Sequence, residues 1–163
     1  MGVSAQAVSA IPGNGTPIGP QYALIPVHGY GIAVATVMRM LDGEGGGTRA
    51  RLLQPGGQVP YGAMPVLLAE TTVYGAVCVE TVLRGWSSQL PRPWLVWIAD
   101  APARPVPAAR YRIRALQARL AGVATVPYLP VLRTVEDAAQ ALEYKDVRSA
   151  GDRLRRQMEG NSK

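Results

Sequence analysis

Apolar residues in this chain fall into short unbroken blocks, separated by turn-forming residues and by longer stretches in which apolar and polar positions are mixed. Unbroken blocks suit strands covered on both faces, and mixed stretches suit helices that lie against those strands. Tyr22 to Val27 (YALIPV) predicts a buried strand, and Pro26, which has no N–H for a ladder, predicts an edge position or a strand end. His28-Gly29-Tyr30-Gly31 predicts a turn, followed by a helix over Ile32 to Leu41 that stops at Gly43, Gly45, Gly46 and Gly47. Arg49 to Leu53 predicts a short strand before the Pro55-Gly56-Gly57 turn, and Val66 to Ala69 a continuous apolar one. Thr72 to Arg84 has the β-branched residues of a strand. Val73, Ala76, Val77, Glu80 and Arg84 also fit helical spacing, and the alternation of elements elsewhere favours the helix.

Trp94 to Ala99 (WLVWIA) is the clearest strand, ending at Asp100 and a proline-rich loop that runs to Pro107. Ala108 to Leu120 predicts a basic helix with Tyr111, Ala115, Leu116 and Leu120 near one side and Arg110, Arg112, Arg114 and Arg119 over the rest. Val123 to Leu129 predicts the last strand. One or two amphipathic helices follow over 135–158, with Val135, Ala139, Leu142, Val147, Leu154 and Met158 as their apolar positions. Strands alternating with helices imply an α/β fold of three layers, a mainly parallel sheet with helices on both faces. The domain reading is a leader over 1–21, rich in Gly, Pro, Ser, Ala and Thr, a core over 22–133, and basic C-terminal helices over 134–163 that pack on the core or extend from it.

Composition narrows the class. A chain of 163 residues fits one body with a single core, and 48% apolar residues against 17% charged argue against wholesale disorder. Phe is absent, which shifts core volume to Val, Leu, Ile, Ala, Tyr and Trp. One cysteine, Cys78, allows no internal disulfide, and it is expected as a small buried side chain in a reducing compartment. No basic-then-apolar secretory pattern and no clean apolar span of about 18 residues occurs, so the expectation is a soluble, cytoplasmic protein.

Charge is divided unevenly. Residues 1–100 carry five basic and five acidic side chains, whereas 101–163 carry twelve and six, so the whole formal +6 lies in the second part. Arg148, Arg153, Arg155 and Arg156 join the four arginines of the preceding basic helix there. Such a surface suits an acidic protein partner or a polyanion, or is a solvated face. Aromatic side chains are sparse among these arginines, Tyr111 being the single ring in the first helix, so a protein partner is favoured over nucleic acid. The membrane-surface reading lacks Trp anchors.

Candidate chemistry centres on IPVHGYGIAVATVMRML, residues 25–41. A strand, a glycine-bearing turn and a helix N-terminus can bind phosphate through backbone N–H groups and the helix dipole. Nucleoside triphosphate chemistry also needs a lysine for the terminal phosphates and a hydroxyl for magnesium. After Gly29 and Gly31 come Ile32, Ala33, Val34 and Ala35, and the first hydroxyl is Thr36.

With MPVLLAETTVYGAVCVETVL, WLVWIADAP and GVATVPYLP, this stretch resembles a reduced member of the MinD/ParA-like group of P-loop NTPases. In particular it is similar to actinobacterial members of unknown function associated with conjugative or integrative elements. The likeness covers Tyr22 to Arg133. The family loop, approximately H-G-G-x-G followed by the lysine and a hydroxyl, places His28 and Gly29 on matching residues. Tyr30 and Ile32 then stand where glycines belong, and Ala33 and Val34 where the lysine and the magnesium hydroxyl belong. The resemblance therefore implies a persistent fold without nucleotide turnover: no enzyme, no cofactor, and an accessory or scaffolding role with a protein partner. Weak nucleotide binding and nucleic-acid binding are the alternatives.

Glu70 and Asp100 fall at carboxyl ends of predicted strands, so they are expected to approach the same crevice as His28, Gly29, Gly31 and Thr36. His28 is the one histidine, and beside a glycine turn it is either structural or a ligand-facing group. One His and one Cys far apart in sequence make no metal-ligand set. No serine lies in a nucleophile elbow.

Overall fold

A computed structural model describes residues 21–43, 46–54 and 56–160. The predicted leader, apart from Gln21, lies outside the described residues, as do Gly45 and Pro55. Five strands form one parallel sheet: β1 (Tyr22–Pro26), β2 (Ala50–Leu52), β3 (Met64–Glu70), β4 (Trp94–Ile98) and β5 (Gly122–Val126). Their spatial order is β2-β1-β3-β4-β5. The helices are α1 (Ile32–Asp42), α2 (Val73–Arg84), α3 (Pro107–Leu116), α4 (Ala138–Ala141) and α5 (Lys145–Gly160). Short 3₁₀ turns cover Gln117–Arg119 and Pro130–Arg133.

Two cores sandwich the sheet. On one face Leu24, Val66, Leu68, Val96 and Ala124 meet Val37, Met40 and Leu41 of α1 and Val147, Ala150 and Leu154 of α5. On the other, Leu67, Ala69, Leu95 and Trp97 meet Ala76, Val79 and Leu83 of α2 and Ala109, Ile113 and Leu116 of α3. Neighbouring residues along β3 and β4 alternate between the two cores, as the two-residue pleat requires, so these strands have no polar face and read as continuous apolar runs. The expected three-layer α/β architecture is present.

The chain leaves β1 toward β2 on one side and continues from β3 toward β4 and β5 on the other. This doubly wound order reverses direction between β1 and β3, where ligands collect in open α/β sheets. Pro26 sits at the end of an interior strand: β2 pairs only with Tyr22, Ala23 and Leu24, so the missing N–H costs no ladder bond on that side.

The ambiguous segment 72–84 is helical. Thr72 caps α2 by accepting the Gly75 N–H at 2.8 Å. The buried positions of α2 are Gly75, Ala76, Val79 and Leu83; of the residues that marked the helical spacing, Ala76 is buried and Val73 and Val77 are exposed. In α3 the buried side is Ala109, Ile113 and Leu116, and Tyr111 and Ala115 face outward. Ala139 is also exposed, with Ala138 and Ala141 buried instead. Which arc of such a helix is buried depends on the angle at which it meets its neighbours, and the residue spacing alone does not set that angle. Cys78 is half-buried rather than enclosed, and its thiol, one helical turn from Tyr74, pushes the Tyr74 phenol above its ordinary range.

Asp42, at the end of α1, accepts backbone N–H groups from Gly47, Arg49 and Ala50. One carboxylate thereby closes the glycine turn and starts β2. Gly43, with φ of 59°, occupies the left-handed region that glycine adopts freely. Among the described residues no helix is long and apolar enough to cross a membrane.

Candidate functional site

The turn after β1 is fixed from the side of β3. His28 Nε2 accepts the Glu70 backbone N–H at 2.9 Å, a bond between residues 42 apart that joins the two strands where the winding reverses. Its Nδ1 lies 4.0 Å from Glu70 Oε1, too far for a hydrogen bond, and its ring is tilted against Tyr74 at 5.9 Å between centroids. This bond ties the histidine to the scaffold.

Gly31 caps α1 in extended conformation, with φ of −138° and ψ of −168°. Neither Gly29 nor Gly31 has positive φ, and a Cβ added to either meets no atom within 4 Å. The turn therefore does not curl its N–H groups into the concave nest that a phosphate loop presents. Tyr30 is half exposed and lines a different cavity from Gly31.

The expected site residues divide between two hollows. Gly31, Thr36, Glu70 and Asp100 line a crevice of about 260 Å³ at the carboxyl ends of the strands, with Tyr128 and Arg133. His28 and Tyr30 line a groove of about 780 Å³, with Ile25, Leu53 and Trp86. This groove exists because the connection from β2 to β3 contains no helix among the described residues, which leaves the sheet beside Ile25 without a helical cover. Gly29 is exposed and lines neither hollow.

Within the crevice the charges are Glu70, Asp100 and Arg133. Asp100 Oδ1 accepts the Thr71 hydroxyl at 2.9 Å, and the Asp100 N–H donates to Thr71 Oγ1 at 3.3 Å. The two lysines of the sequence are Lys145 and Lys163, and Lys145 starts α5, away from this crevice. Thr36 is fully buried in α1, and its hydroxyl has no hydrogen-bond partner. An unmet buried hydroxyl costs about 1–3 kcal/mol, so Thr36→Val, which keeps the shape, is expected to raise stability by about 1 kcal/mol in urea unfolding. A loss of stability instead would show that Thr36 has a polar partner in solution.

The basic residues do not form one face. α3 packs on one side of the sheet and α5 on the other. Several arginines serve the fold: Arg112 pairs with Glu80 at 2.7 Å, Arg119 donates to the Leu83 carbonyl, Arg148 donates to the Leu142 and Glu143 carbonyls, and Arg155 bridges the Met40 carbonyl and Asp152. Arg114, Arg153 and Arg156 have no side-chain hydrogen bond or ion pair among the described residues.

Arg110 and Arg153 meet at the β5 edge of the sheet, with Arg104 of the proline-rich loop, around a cleft of about 530 Å³. Arg104 was not singled out in the sequence because it belongs to no periodic element. Its place beside Arg110 and Arg153 appears only when the loop after β4 and the side of α5 are placed together. No family model, no curated protein and no solved structure matches this chain.

Proposed function

We propose that this chain is a non-catalytic accessory or scaffolding protein that docks a protein partner through its basic C-terminal half. On this reading its fold is that of a P-loop NTPase whose nucleotide machinery has decayed, in the setting that the resemblance implies, a conjugation or mobile-element apparatus. The observation that carries the reading is the turn 28–31: its glycines have no positive φ, it is tied to β3 through His28, and it is followed by Ile32, Ala33 and Val34 where a nucleotide site needs a lysine and a hydroxyl. Glu70 and Asp100 face the adjoining crevice, and opposite them stands Arg133 alone, so a triphosphate would meet more like charge than opposite charge there.

The test is thermal unfolding of the protein with ATP or GTP and magnesium. A nucleotide at a hundred times its dissociation constant would add about 2.7 kcal/mol, which in a chain of this size raises the midpoint by roughly 5–10 °C. The expected result is no rise at millimolar nucleotide, and no release of phosphate on incubation. A rise of several degrees would establish the alternative, a regulatory protein that binds nucleotide weakly without turning it over.

A further inference from the structure

Resting on the docking role above, we infer that the cleft beside β5 is where an acidic, extended peptide segment of a protein partner binds, its carboxylates held by Arg104, Arg110 and Arg153. These three guanidinium groups come from the loop after β4, from α3 and from α5, so the tertiary structure gathers cations that are up to 49 positions apart in sequence. No carboxylate lines the cleft. The acid nearest by bonding, Asp100, is held through Thr71 and lines the crevice instead. Arg104 and Arg153 are exposed and have no side-chain partner among the described residues. Arg110 uses Nε to donate to the Pro105 carbonyl at 3.1 Å, which orients its fork and leaves the terminal nitrogens for a ligand.

The rest of the lining decides what kind of anion suits it. Trp97, Val126 and Pro127 are apolar, so a ligand there brings carbon surface as well as charge. β5 is an edge strand, and an incoming chain would ordinarily add to such an edge. Gln157 prevents that at the centre: its Oε1 accepts the Thr125 N–H at 3.0 Å and its Nε2 donates to the Thr125 carbonyl at 3.1 Å. The peptide is therefore held through its side chains and not as a sixth strand. Arginine forks pair with carboxylates in bidentate fashion, and their planar heads also lie well over apolar surface.

The experiment is fluorescence anisotropy of labelled hexaglutamate with the full chain at about 50 mM salt, where exposed charges are least screened. Saturable binding is expected, and the triple substitution Arg104→Ala, Arg110→Ala and Arg153→Ala should weaken it about tenfold or more. Removing the same charge outside the basic C-terminal half, by Arg39→Ala, Arg51→Ala and Arg84→Ala, should change it less than about twofold. Thr125→Glu, which keeps every arginine and places a carboxylate in the cleft, should also abolish binding, so the idea stays testable if the triple variant fails to fold. Equal loss in both triple variants, absence of saturable binding, or tighter binding of a labelled oligothymidylate through the same three arginines would each overturn it. Any of these outcomes leaves the nucleotide titration untouched, and a nucleotide-induced rise in melting point leaves the cleft untouched.

Discussion

Leu154→Ala is expected to destabilise the protein by about 3–4 kcal/mol, as large-to-small changes at fully buried leucines do when the surroundings cannot collapse. Leu154 is completely buried between α5 and the sheet, in the core that also holds Leu24, Met40 and Val66. Gly151, one turn earlier, permits the close approach: a Cβ there would lie 3.0 Å from Met40 Cγ, so α5 sits directly on α1. Such tight packing leaves little room for neighbours to fill the void. Urea unfolding followed by tryptophan fluorescence should show a lower midpoint with an unchanged slope, since Trp94 and Trp97 lie in the sheet that α5 covers. A change below about 1 kcal/mol, or a separate early transition by circular dichroism, would mean that α5 is an appendage and not part of the cooperative unit.

Gly75→Ala should cost a comparable amount, about 3 kcal/mol, in the helix that covers the other face of the sheet. A Cβ at this position would stand 2.3 Å from the Glu70 carbonyl oxygen, a backbone atom that cannot rotate away. That carbonyl accepts the Trp97 indole N–H at 2.9 Å, so moving it also breaks a bond that joins β3 to β4. Helix propensity works the other way, since alanine gains about 1 kcal/mol over glycine inside a helix, but steric overlap with fixed backbone outweighs it. Gly31→Ala is the control: its φ of −138° suits any residue and its Cβ would meet nothing. That variant should melt within about 0.5 kcal/mol of the parent. If Gly31→Ala proved severe and Gly75→Ala mild, α2 would not leave β3 across the Glu70 carbonyl.

These two glycines show where pattern reading stops. In the sequence Gly31 stands out, because it follows a strand and opens a helix, whereas Gly75 is one small residue within TVYGAVCVETVLR. In space Gly75 is the constrained one: α2 comes off β3 so tightly that its first turn crosses the Glu70 carbonyl. No local pattern encodes that distance. Glu70 and Asp100 were legible as neighbours, since both follow the carboxyl ends of adjacent parallel strands and such ends share one rim. His28 was placed correctly at the strand end, but its engagement with the Glu70 N–H and its turn toward the groove follow from side-chain geometry across 42 residues.

The layered α/β architecture was carried by the sequence alone, because unbroken apolar blocks such as WLVWIA leave no polar face for solvent and must be covered on both sides. The rotation of each helix against the sheet, the division of the expected site residues between two hollows, and the meeting of Arg104 with Arg110 and Arg153 were decided by the tertiary structure. The reason is physical. Burial of apolar area depends on how much surface an element hides, which its own residues specify, whereas a site depends on distances between elements, which are fixed only when all of them pack at once.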